Sequence, residues 1–315
     1  MKRPIYALVI LVFCLMINQV HSYPSKPITI LIGFGKGGTL YTQAEILAEI
    51  LSEILDQDVF VESRPGLGGG MATAMVAASN DEGYFLLFTP SFTITDYPVT
   101  IQASYDFEDF VLIGAVSWDQ HALVANSQSP YSDWEGFIEY AKQKGLIRYL
   151  SQNLTDREIF TYIARQEGFN TEVIPVSGGA GMTPLLLAGD ADIAFSGGTH
   201  TRYTESGEMI VLAATGENRL LSNPEAPTLN ELGYPLKLQS MRVLVAPKNT
   251  PIDQQEVLEQ ALKKSTQDKR FIQVTQKLIK QPVSFLNAEE TLSFLKTQRS
   301  WINEIESNKN NQALN

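Results

Sequence analysis

Cysteine is almost missing from this chain. A single residue, Cys14, occurs among 315, and it lies in the apolar run 5–17 near the N-terminus. With one thiol, the chain cannot close a disulfide bond within itself. This excludes the small secreted domains that disulfide bonds hold together. At 44% hydrophobic residues, the chain can instead bury a large apolar core in one large or two medium domains.

Basic residues are scarce as well. The chain has 24 Lys and Arg against 35 Asp and Glu, which gives a net charge of −11. An acidic protein of this kind is not expected to bind nucleic acid or an anionic membrane surface. Any anionic ligand must therefore be held by local donors rather than by a broad positive field. After the N-terminal run, no apolar stretch reaches the ~18 residues of a membrane span.

The sequence patterns of catalysis are also absent. Beyond residue 22 the only histidines are His121 and His200, and neither has the spacing of a metal ligand or of a catalytic triad. We interpret both as structural or as part of a cleft rim. No nucleophile elbow, Ser-x-x-Lys, His-Glu-x-x-His or Walker motif occurs. We therefore expect no enzyme activity, no catalytic residue, no metal and no cofactor.

The N-terminus has the pattern of a secretory signal peptide. Two basic residues precede the apolar run 5–17, and residues 20–22 are small or modest where a signal peptidase cleaves. We predict that residues 1–22 are removed, that cleavage falls near Ser22, and that the mature protein starts near Tyr23 in the periplasm. Removal takes away two basic and no acidic residues, so the net charge moves from −11 to −13.

The segment 27–62 predicts a strand, a glycine loop, a helix and a second strand. The apolar run 28–32 leads into the loop 33–38. Apolar residues then recur at the i, i+3, i+4, i+7 spacing of one helix face: Ala44, Leu47, Ala48, Leu51, Ile54 and Leu55. The first turn of a helix has unpaired backbone N–H groups at the positive end of the helix dipole. We expect an anionic group to bind there.

The glycine loop allows three interpretations. Gly33-x-Gly35-x-x-Gly38 matches the dinucleotide fingerprint, and Glu62 closes the next strand near where an acidic ribose ligand belongs. An exported protein meets little NAD, which disfavours this interpretation. The glycines could instead serve only close backbone packing. Binding of a small anion at the helix start is the interpretation that we favour.

The rest of the chain repeats this α/β pattern. We predict further strands at 84–89, 111–116, 121–125, 147–151, 172–176, 191–196, 209–214 and 241–246, with helices at 71–79, 132–144, 156–168, 252–266, 268–280, 288–306 and from the loop 177–181 to residue 188. The segment 90–108 is predicted to be irregular. Two similar α/β sets predict two lobes with a cleft between them, and 223–235 is expected to cross the surface back to the first lobe.

Hydroxyl groups and glycine N–H groups recur at the predicted strand ends. In an open α/β sheet the loops after the strands line the ligand crevice. The candidates are Gly35, Gly37, Gly38, Thr39, Tyr41, Ser91, Thr93, Ser151, Gln152, Asn153, Thr155, Gly178, Gly179 and Thr199. Each could instead be an ordinary capping or turn residue. Donors without a nucleophile or a metal indicate binding rather than turnover.

Several short motifs, in this order, resemble the periplasmic substrate-binding receptors of tripartite tricarboxylate transporters, the TctC-like or Bug family. They cover nearly all of the chain after residue 22. They include Phe34-x-x-Gly37-Gly38, Glu62-x-Arg64-Pro65-Gly66-x-Gly68-Gly69, Asp81-x-Gly83-Tyr84, Ser177-Gly178-Gly179-Ala180 and Gly189-Asp190-Ala191-Asp192. The resemblance implies an α/β, two-lobed type II periplasmic binding protein fold, with a mostly parallel sheet flanked by helices in each lobe.

The resemblance also divides the chain and gives it a function. Lobe 1 would comprise 23–124 and 242–315, and lobe 2 would comprise 125–241, with hinges near 123–126 and 243–246. The protein would be a monomer that captures a small organic carboxylate and passes it to membrane permease subunits. The alternatives are a receptor that signals to a sensor kinase and an exported nucleotide-binding enzyme.

The family's binding positions can be transferred onto this sequence. The first-lobe loop runs from Phe34 to Thr39, the second-lobe loop is 151–155, and Gly178, Gly179 and 195–199 close the cleft. We expect Gly38 to need a conformation that only glycine adopts. Many members have Pro and Asp at the positions of Lys36 and Tyr41. Since that Asp can pair with a ligand amino group, Tyr41 disfavours an amino-acid ligand, and Lys36 either adds a cation or is solvated.

Overall fold

The structure, a computed structural model, describes residues 23–236 and 238–313. They form two sheets, each flanked by helices. The predicted signal peptide, residues 1–22, lies outside the described residues. Within the described part, every helix is too short or too polar to cross a bilayer.

The first sheet has six strands in the order β11-β4-β10-β3-β1-β2. Their bounds are β1 Ile28–Ile32, β2 Val59–Ser63, β3 Phe85–Pro90, β4 Phe110–Trp118, β10 Met241–Pro247 and β11 Val283–Leu286. β1 pairs in parallel with β2 and β3, as right-handed crossovers require. β10 is antiparallel to both β3 and β4, and β11 is antiparallel to β4, so the sheet is mixed.

The second sheet has five strands in the order β7-β6-β8-β5-β9. Their bounds are β5 Ala122–Asn126, β6 Leu146–Ser151, β7 Asn170–Pro175, β8 Ile193–Ser196 and β9 Met209–Ala214. β6 is parallel to β7 and β8, whereas β5 is antiparallel to β8 and β9. In both sheets the antiparallel pairs involve the strands next to the places where the chain changes lobe.

Helices cover both faces of each sheet. In chain order they are α1 Thr39–Leu55, α2 Gly70–Ala77, α3 Phe92–Thr95, α4 Tyr97–Thr100, α5 Trp134–Lys144, α6 Leu154–Glu167, α7 Gly178–Leu187, α8 Thr201–Glu205, α9 Ile252–Gln267, α10 Lys269–Ile272 and α11 Ala288–Ala313. Two 3₁₀ turns, Leu67–Gly69 and Phe107–Asp109, and a π-helical turn, Gln273–Leu278, complete the set.

The core follows from the strand alternation. Side chains of a strand point alternately to the two faces of its sheet. Ile30 and Ile32 are buried with Leu47 of α1, whereas Leu31 is buried on the other face among residues that include Ala72 of α2. A sheet that is apolar on both faces needs helices on both sides. The glycine loops between strands and helices are thereby held at one edge of the sheet.

The chain changes sheets at two places. It leaves β4 and enters β5 through residues 119–121, and it returns between β9 and β10. The predicted lobe boundary at 124 falls inside β5, which pairs entirely within the second sheet, so we propose the division at 119–121 instead. The segment 223–235 is not a plain surface crossing, because Leu229 and Tyr234 are buried in the second-lobe core.

Candidate ligand-binding cleft

A cleft with an empty volume of about 500 Å³, open solvent included, lies between the two sheets. It is lined by the loops that follow β1, β3 and β8 and by the start of α7. These are the carboxyl ends of strands, where open α/β sheets bind their ligands. The predicted residues that line it are Phe34, Gly35, Gly38, Thr39, Asn153, Gly178, Gly179 and Thr199, together with Gln152.

The start of α1 is open on the first-lobe side of the cleft. Gly38 is its N-cap, no side chain caps it, and its first turn has no acidic residue. The first-turn N–H groups of a helix have no partner within the helix. Gly38 itself has φ −79° and ψ 162°, an ordinary extended conformation, so the expectation that it needs glycine is wrong. The close approach is at Gly33, where a Cβ would collide with the backbone of Gly69.

The start of α6 is different, because it has a capping box made of its own residues. The Asn153 side chain accepts a bond from the Asp156 N–H at 2.8 Å, and Asp156 Oδ2 accepts from the N–H groups of Asn153 at 2.7 Å and Gln152 at 2.9 Å. The Asp156 carboxylate thus occupies the N–H groups of Gln152 and Asn153, two of the donors that the predicted second-lobe loop 151–155 was expected to offer. Burial raises the pKa of Asp156 to about 6, although the hydrogen bond from Tyr149 lowers it.

The start of α7 also faces the cleft from the second lobe. Its N-cap, Ser177, makes no side-chain capping bond. Ser177, Gly178, Gly179 and Ala180 all line the cleft. A side chain at Gly179 would collide with Thr199, so the helix start lies directly against that residue. The cleft therefore has one uncapped helix start from each lobe.

A buried ion pair lies beneath the cleft. Arg242 Nε donates to Asp119 Oδ1 at 2.9 Å, and both side chains are only 2% exposed. The guanidinium also donates to the Thr39 carbonyl at 3.0 Å, to Thr39 Oγ1 at 2.7 Å and to Gln43 Oε1 at 2.9 Å. Arg242 thus fixes the start of α1, and its positive charge is already satisfied by protein groups.

His121 lies beside this ion pair, and Asp119, Arg242 and His121 together form the floor of the cleft. Its ring lies edge-on to Phe195 at 5.0 Å and to Phe92 at 6.4 Å between centroids. Nε2 is 3.5 Å from Asp119 Oδ2, and buried Nδ1 has no hydrogen-bond partner among the described residues. Burial alone would raise the pKa of Asp119, but the contacts of its carboxylate with His121 and Arg242 hold the pKa below its usual value.

His200 has a structural role, as the sequence suggested. It is fully buried, and its Nδ1 lies 3.0 Å from Ser196 Oγ. Burial lowers the pKa of His200 to about 3, with a smaller contribution from His121, so the ring is neutral. Within 23–236 and 238–313, no group of three His, Cys, Asp or Glu side chains is placed to hold a metal ion.

Several predicted site residues lie elsewhere. The hydroxyl of Tyr41 pairs with Glu45, and Ser91 is buried with its Oγ 3.2 Å from Gln298 Oε1. Thr155 Oγ1 donates to Asp96 Oδ2 at 2.9 Å. Gly37 is exposed in the loop, with φ +87° and open space around it. The predicted site residues that do not line the cleft include Gly37, Tyr41, Ser91, Ser151 and Thr155.

Sequence reasoning missed the floor and one wall of the cleft. The missed residues are Asp119 and Arg242, and the apolar Pro90 and Phe92. Asp119 sits between two predicted strands, a position that could have marked it as a crossing residue. Pro90 and Phe92 lie where the segment 90–108 was predicted to be irregular.

A second cavity adjoins the cleft on the other side of Phe34. Its empty volume is about 1190 Å³, open solvent included, and its lining includes Phe34, Leu67, Ser151 and Arg157. The Nε of Arg157 has no hydrogen-bond partner among the described residues. Both lobes contribute to this cavity, as they do to the cleft.

The lobes touch each other across the cleft. Besides the bond from Thr155 to Asp96, Lys280 Nζ lies 3.1 Å from Glu205 Oε1, and Thr39 Oγ1 lies 3.5 Å from the Gly197 carbonyl. These contacts join first-lobe and second-lobe residues. The structure is therefore a closed arrangement of the two lobes.

The two lobes, the chain that crosses between them and the cleft of backbone donors define a solute-binding protein of the periplasmic type. A family model described as the tripartite tricarboxylate transporter family receptor, TctC, matches residues 44–307, and the chain belongs to that family. The family resemblance seen in the sequence is thus confirmed. This is a family of solute-binding receptors, not of enzymes, as expected.

Individual proteins agree with this assignment. The chain is 28% identical to the UPF0065 protein in the gbd 5′ region of Cupriavidus necator, over 88% of this chain and 85% of that protein. It is 29% identical to Protein BugT of Bordetella pertussis over 73% of each chain. The solved periplasmic binding protein BugD superposes with a TM-score of 0.83 at 25% identity, covering 91% of this chain and 98% of that one. The predicted two-lobed α/β fold is confirmed.

Proposed function

We propose that this protein captures a small organic carboxylate in the periplasm and delivers it to the membrane subunits of a tripartite tricarboxylate-type transporter. One observation carries the proposal: the uncapped starts of α1 and α7, one from each lobe, open on the same cleft. A carboxylate between them would accept hydrogen bonds from both lobes. Family membership supports the same assignment.

Backbone donors suit this ligand in an acidic protein. The net charge is −11, so the overall field repels an anion. A helix start offers N–H donors and the positive end of the helix dipole, a combination that binds anions without a cationic side chain. Hydrogen bonds to a charged acceptor contribute roughly 1.5–3 kcal/mol each, more than neutral ones. Binding both helix starts at once would also favour the closed arrangement of the lobes.

An α-amino acid fits this cleft poorly. The counter-charge of a ligand ammonium group would be a free carboxylate, and the one acidic side chain among the described lining residues, Asp119, is paired with Arg242. The sequence led to the same expectation through Tyr41, but that side chain lies outside the lining. The reason for disfavouring an amino acid is therefore the paired state of Asp119.

The remaining parts of the proposal concern location and assembly. We propose that the chain is exported, that it is cleaved near Ser22, and that the mature receptor works as a monomer with membrane permease subunits. N-terminal sequencing of the periplasmic fraction tests the cleavage site. Retention of residues 1–22 on a cytoplasmic protein would contradict it.

Occupying the start of α1 with a side chain tests the anion site directly. In Gly38→Asp the new carboxylate stands at the N-cap and accepts the first-turn N–H groups itself. We expect loss of carboxylate binding, by at least 100-fold in Kd, in a protein that is as stable as the wild type or more so. Isothermal titration calorimetry and thermal unfolding measure the two effects, with ligands chosen by native mass spectrometry of freshly purified protein.

Gly38→Ala is the matched control. A Cβ at this position would meet only the Gly35 carbonyl oxygen at 3.4 Å, and the backbone conformation is open to alanine. Since alanine cannot cap a helix, this variant should bind within about threefold of the wild type. Equal affinity of Gly38→Asp and Gly38→Ala would show that the carboxylate binds elsewhere.

A further inference from the structure

Among the described residues, the cleft offers no free charged side chain to a second carboxylate of a ligand. Within the part of the chain that the structure describes, the Asp, Glu, Lys and Arg side chains that line the cleft are Asp119 and Arg242, which pair with each other beneath it. Arg242 makes further bonds to Thr39 and Gln43. Lys36 does not line the cleft, because it is exposed with its Nζ 5.8 Å from the Tyr41 ring centroid. A second carboxylate on the ligand would therefore be buried without a counter-charge, which is unfavourable.

The walls are instead apolar and largely aromatic. Phe34, Pro90 and Phe92 come from the first lobe, and Phe195 comes from the second. Phe195 and Phe92 also hold the His121 ring between them. Aromatic side chains pack favourably against another ring, edge-on or offset, and against apolar groups. Aromatic rings thus line the cleft from both lobes.

One polar atom in this apolar part of the cleft has no partner. His121 Nε2 lies 3.5 Å from Asp119 Oδ2. From this contact we assign the ring proton to Nε2, which leaves Nδ1 as an acceptor. Nδ1 is buried, and no described residue bonds to it. A buried acceptor without a donor is unfavourable, so a ligand that brings a donor to it gains affinity.

We infer that the cleft selects a monocarboxylate with an aromatic body that carries a hydroxyl or N–H donor, and that His121 is the specificity-determining residue that accepts from this donor. The inference rests on the proposed carboxylate binding at the helix starts. The carboxylate takes the open ends of α1 and α7, the body lies among Phe34, Phe92 and Phe195, and the donor reaches His121 Nδ1. A hydroxybenzoate is the simplest molecule with all three groups.

A matched ligand set tests the inference on the wild-type protein by calorimetry. The probes are benzoate, 3-hydroxybenzoate, 4-hydroxybenzoate, terephthalate and succinate. We expect at least one hydroxybenzoate to bind about tenfold more tightly than benzoate, and benzoate to bind more tightly than either dicarboxylate. Tighter binding of terephthalate or succinate than of benzoate would overturn the inference while leaving carboxylate capture intact.

The variant His121→Phe isolates the acceptor. It keeps an aromatic ring beside Phe92 and Phe195 but removes Nδ1, so this variant should bind the hydroxybenzoate and benzoate with equal affinity. A preference that survives in this variant would contradict the role of His121. If the variant fails to fold, the wild-type ranking of benzoate against the hydroxybenzoates decides alone.

Arg157→Gln separates the neighbouring cavity from the cleft. Arg157 lines that cavity and has an unpartnered Nε, so it is the place where a second carboxylate could be bound. We expect this variant to bind the hydroxybenzoate as the wild type does. Dicarboxylate binding that is tight in the wild type and lost in this variant would overturn the monocarboxylate preference. If neither the wild type nor Gly38→Ala binds any of these probes, the proposed function is overturned as well.

Discussion

Replacing Asp96 by asparagine should stabilise this protein at neutral pH. Asp96 is fully buried between the lobes, where Thr95 Oγ1 donates to its Oδ1 at 2.6 Å and Thr155 Oγ1 donates to its Oδ2 at 2.9 Å. Burial raises the pKa of Asp96 to about 6, although these two bonds and the charge of Arg299 lower it. Asparagine has the same shape and can keep both contacts, but it carries no charge.

The size of the effect follows from the pKa difference. In the unfolded chain the carboxyl titrates near its ordinary value of 3.8, against about 6 in the folded protein. The folded state therefore binds more protons between these values, and stability falls as the pH rises from about 4 to about 6. A shift of about two pKa units corresponds to roughly 3 kcal/mol of unfolding free energy above pH 6.

Thermal unfolding of the wild type and Asp96→Asn between pH 4 and pH 8 measures this difference. We expect equal midpoints near pH 4 and a variant that is more stable by roughly 6 °C at pH 8, at about 2 °C per kcal/mol. Asp156, whose pKa is also raised to about 6, titrates in both proteins and cancels in the comparison. Exposed Asp190→Asn is the control and should leave the curve unchanged. A difference between the midpoints of the wild type and Asp96→Asn that does not grow with pH would refute the reasoning.

Two further predictions concern the contacts around the cleft. Arg242→Met leaves the charge of Asp119 buried without its partner and should lower the unfolding free energy by about 3–5 kcal/mol in chemical denaturation, with partial recovery when Asp119→Asn is added. A denaturation midpoint of Arg242→Met as high as that of the wild type would contradict this prediction. Thr155→Val removes the bond between the lobes to Asp96 and should weaken ligand binding about fivefold by calorimetry, corresponding to about 1 kcal/mol. Thr95→Val removes a bond within one lobe and should not weaken ligand binding. Equal losses of affinity in the two variants would refute an effect of Thr155 on the closure of the lobes.

The regular elements could be predicted because their signals are local. β9 was predicted with the bounds that the structure has, and α1 follows from its apolar spacing. The short helices α3 and α4 have four residues each, too few to show a period. β11 also has four residues and pairs with β4 in a broken register. The direction of strand pairing leaves no pattern in the residues. The sheets were expected to be mostly parallel, but the structure shows that they are mixed.

The candidate site, too, could be predicted only where its sequence signals are local. The loop of Phe34 and Gly38 could be predicted because glycine-rich helix starts are recognisable in sequence. Asp119 and Arg242 could not, since they are separated by 123 positions and meet only through the fold. The closed start of α6 did have a local signal, because Asn153 and Asp156 have capping-box spacing. That spacing predicts a start of α6 that is capped by its own residues, as the structure shows.

The open starts of α1 and α7 have a consequence for how this receptor is handled. Under the proposed function their N–H groups bind the carboxylate of the solute, and any small anion of the buffer competes with the solute for them. A competitor present at ten times its own dissociation constant weakens the apparent affinity for the solute about tenfold, by mass action alone. Affinities measured in acetate, phosphate or formate therefore describe a displacement reaction. In the cell, occupancy depends on the whole pool of competing carboxylates as much as on the concentration of the preferred one.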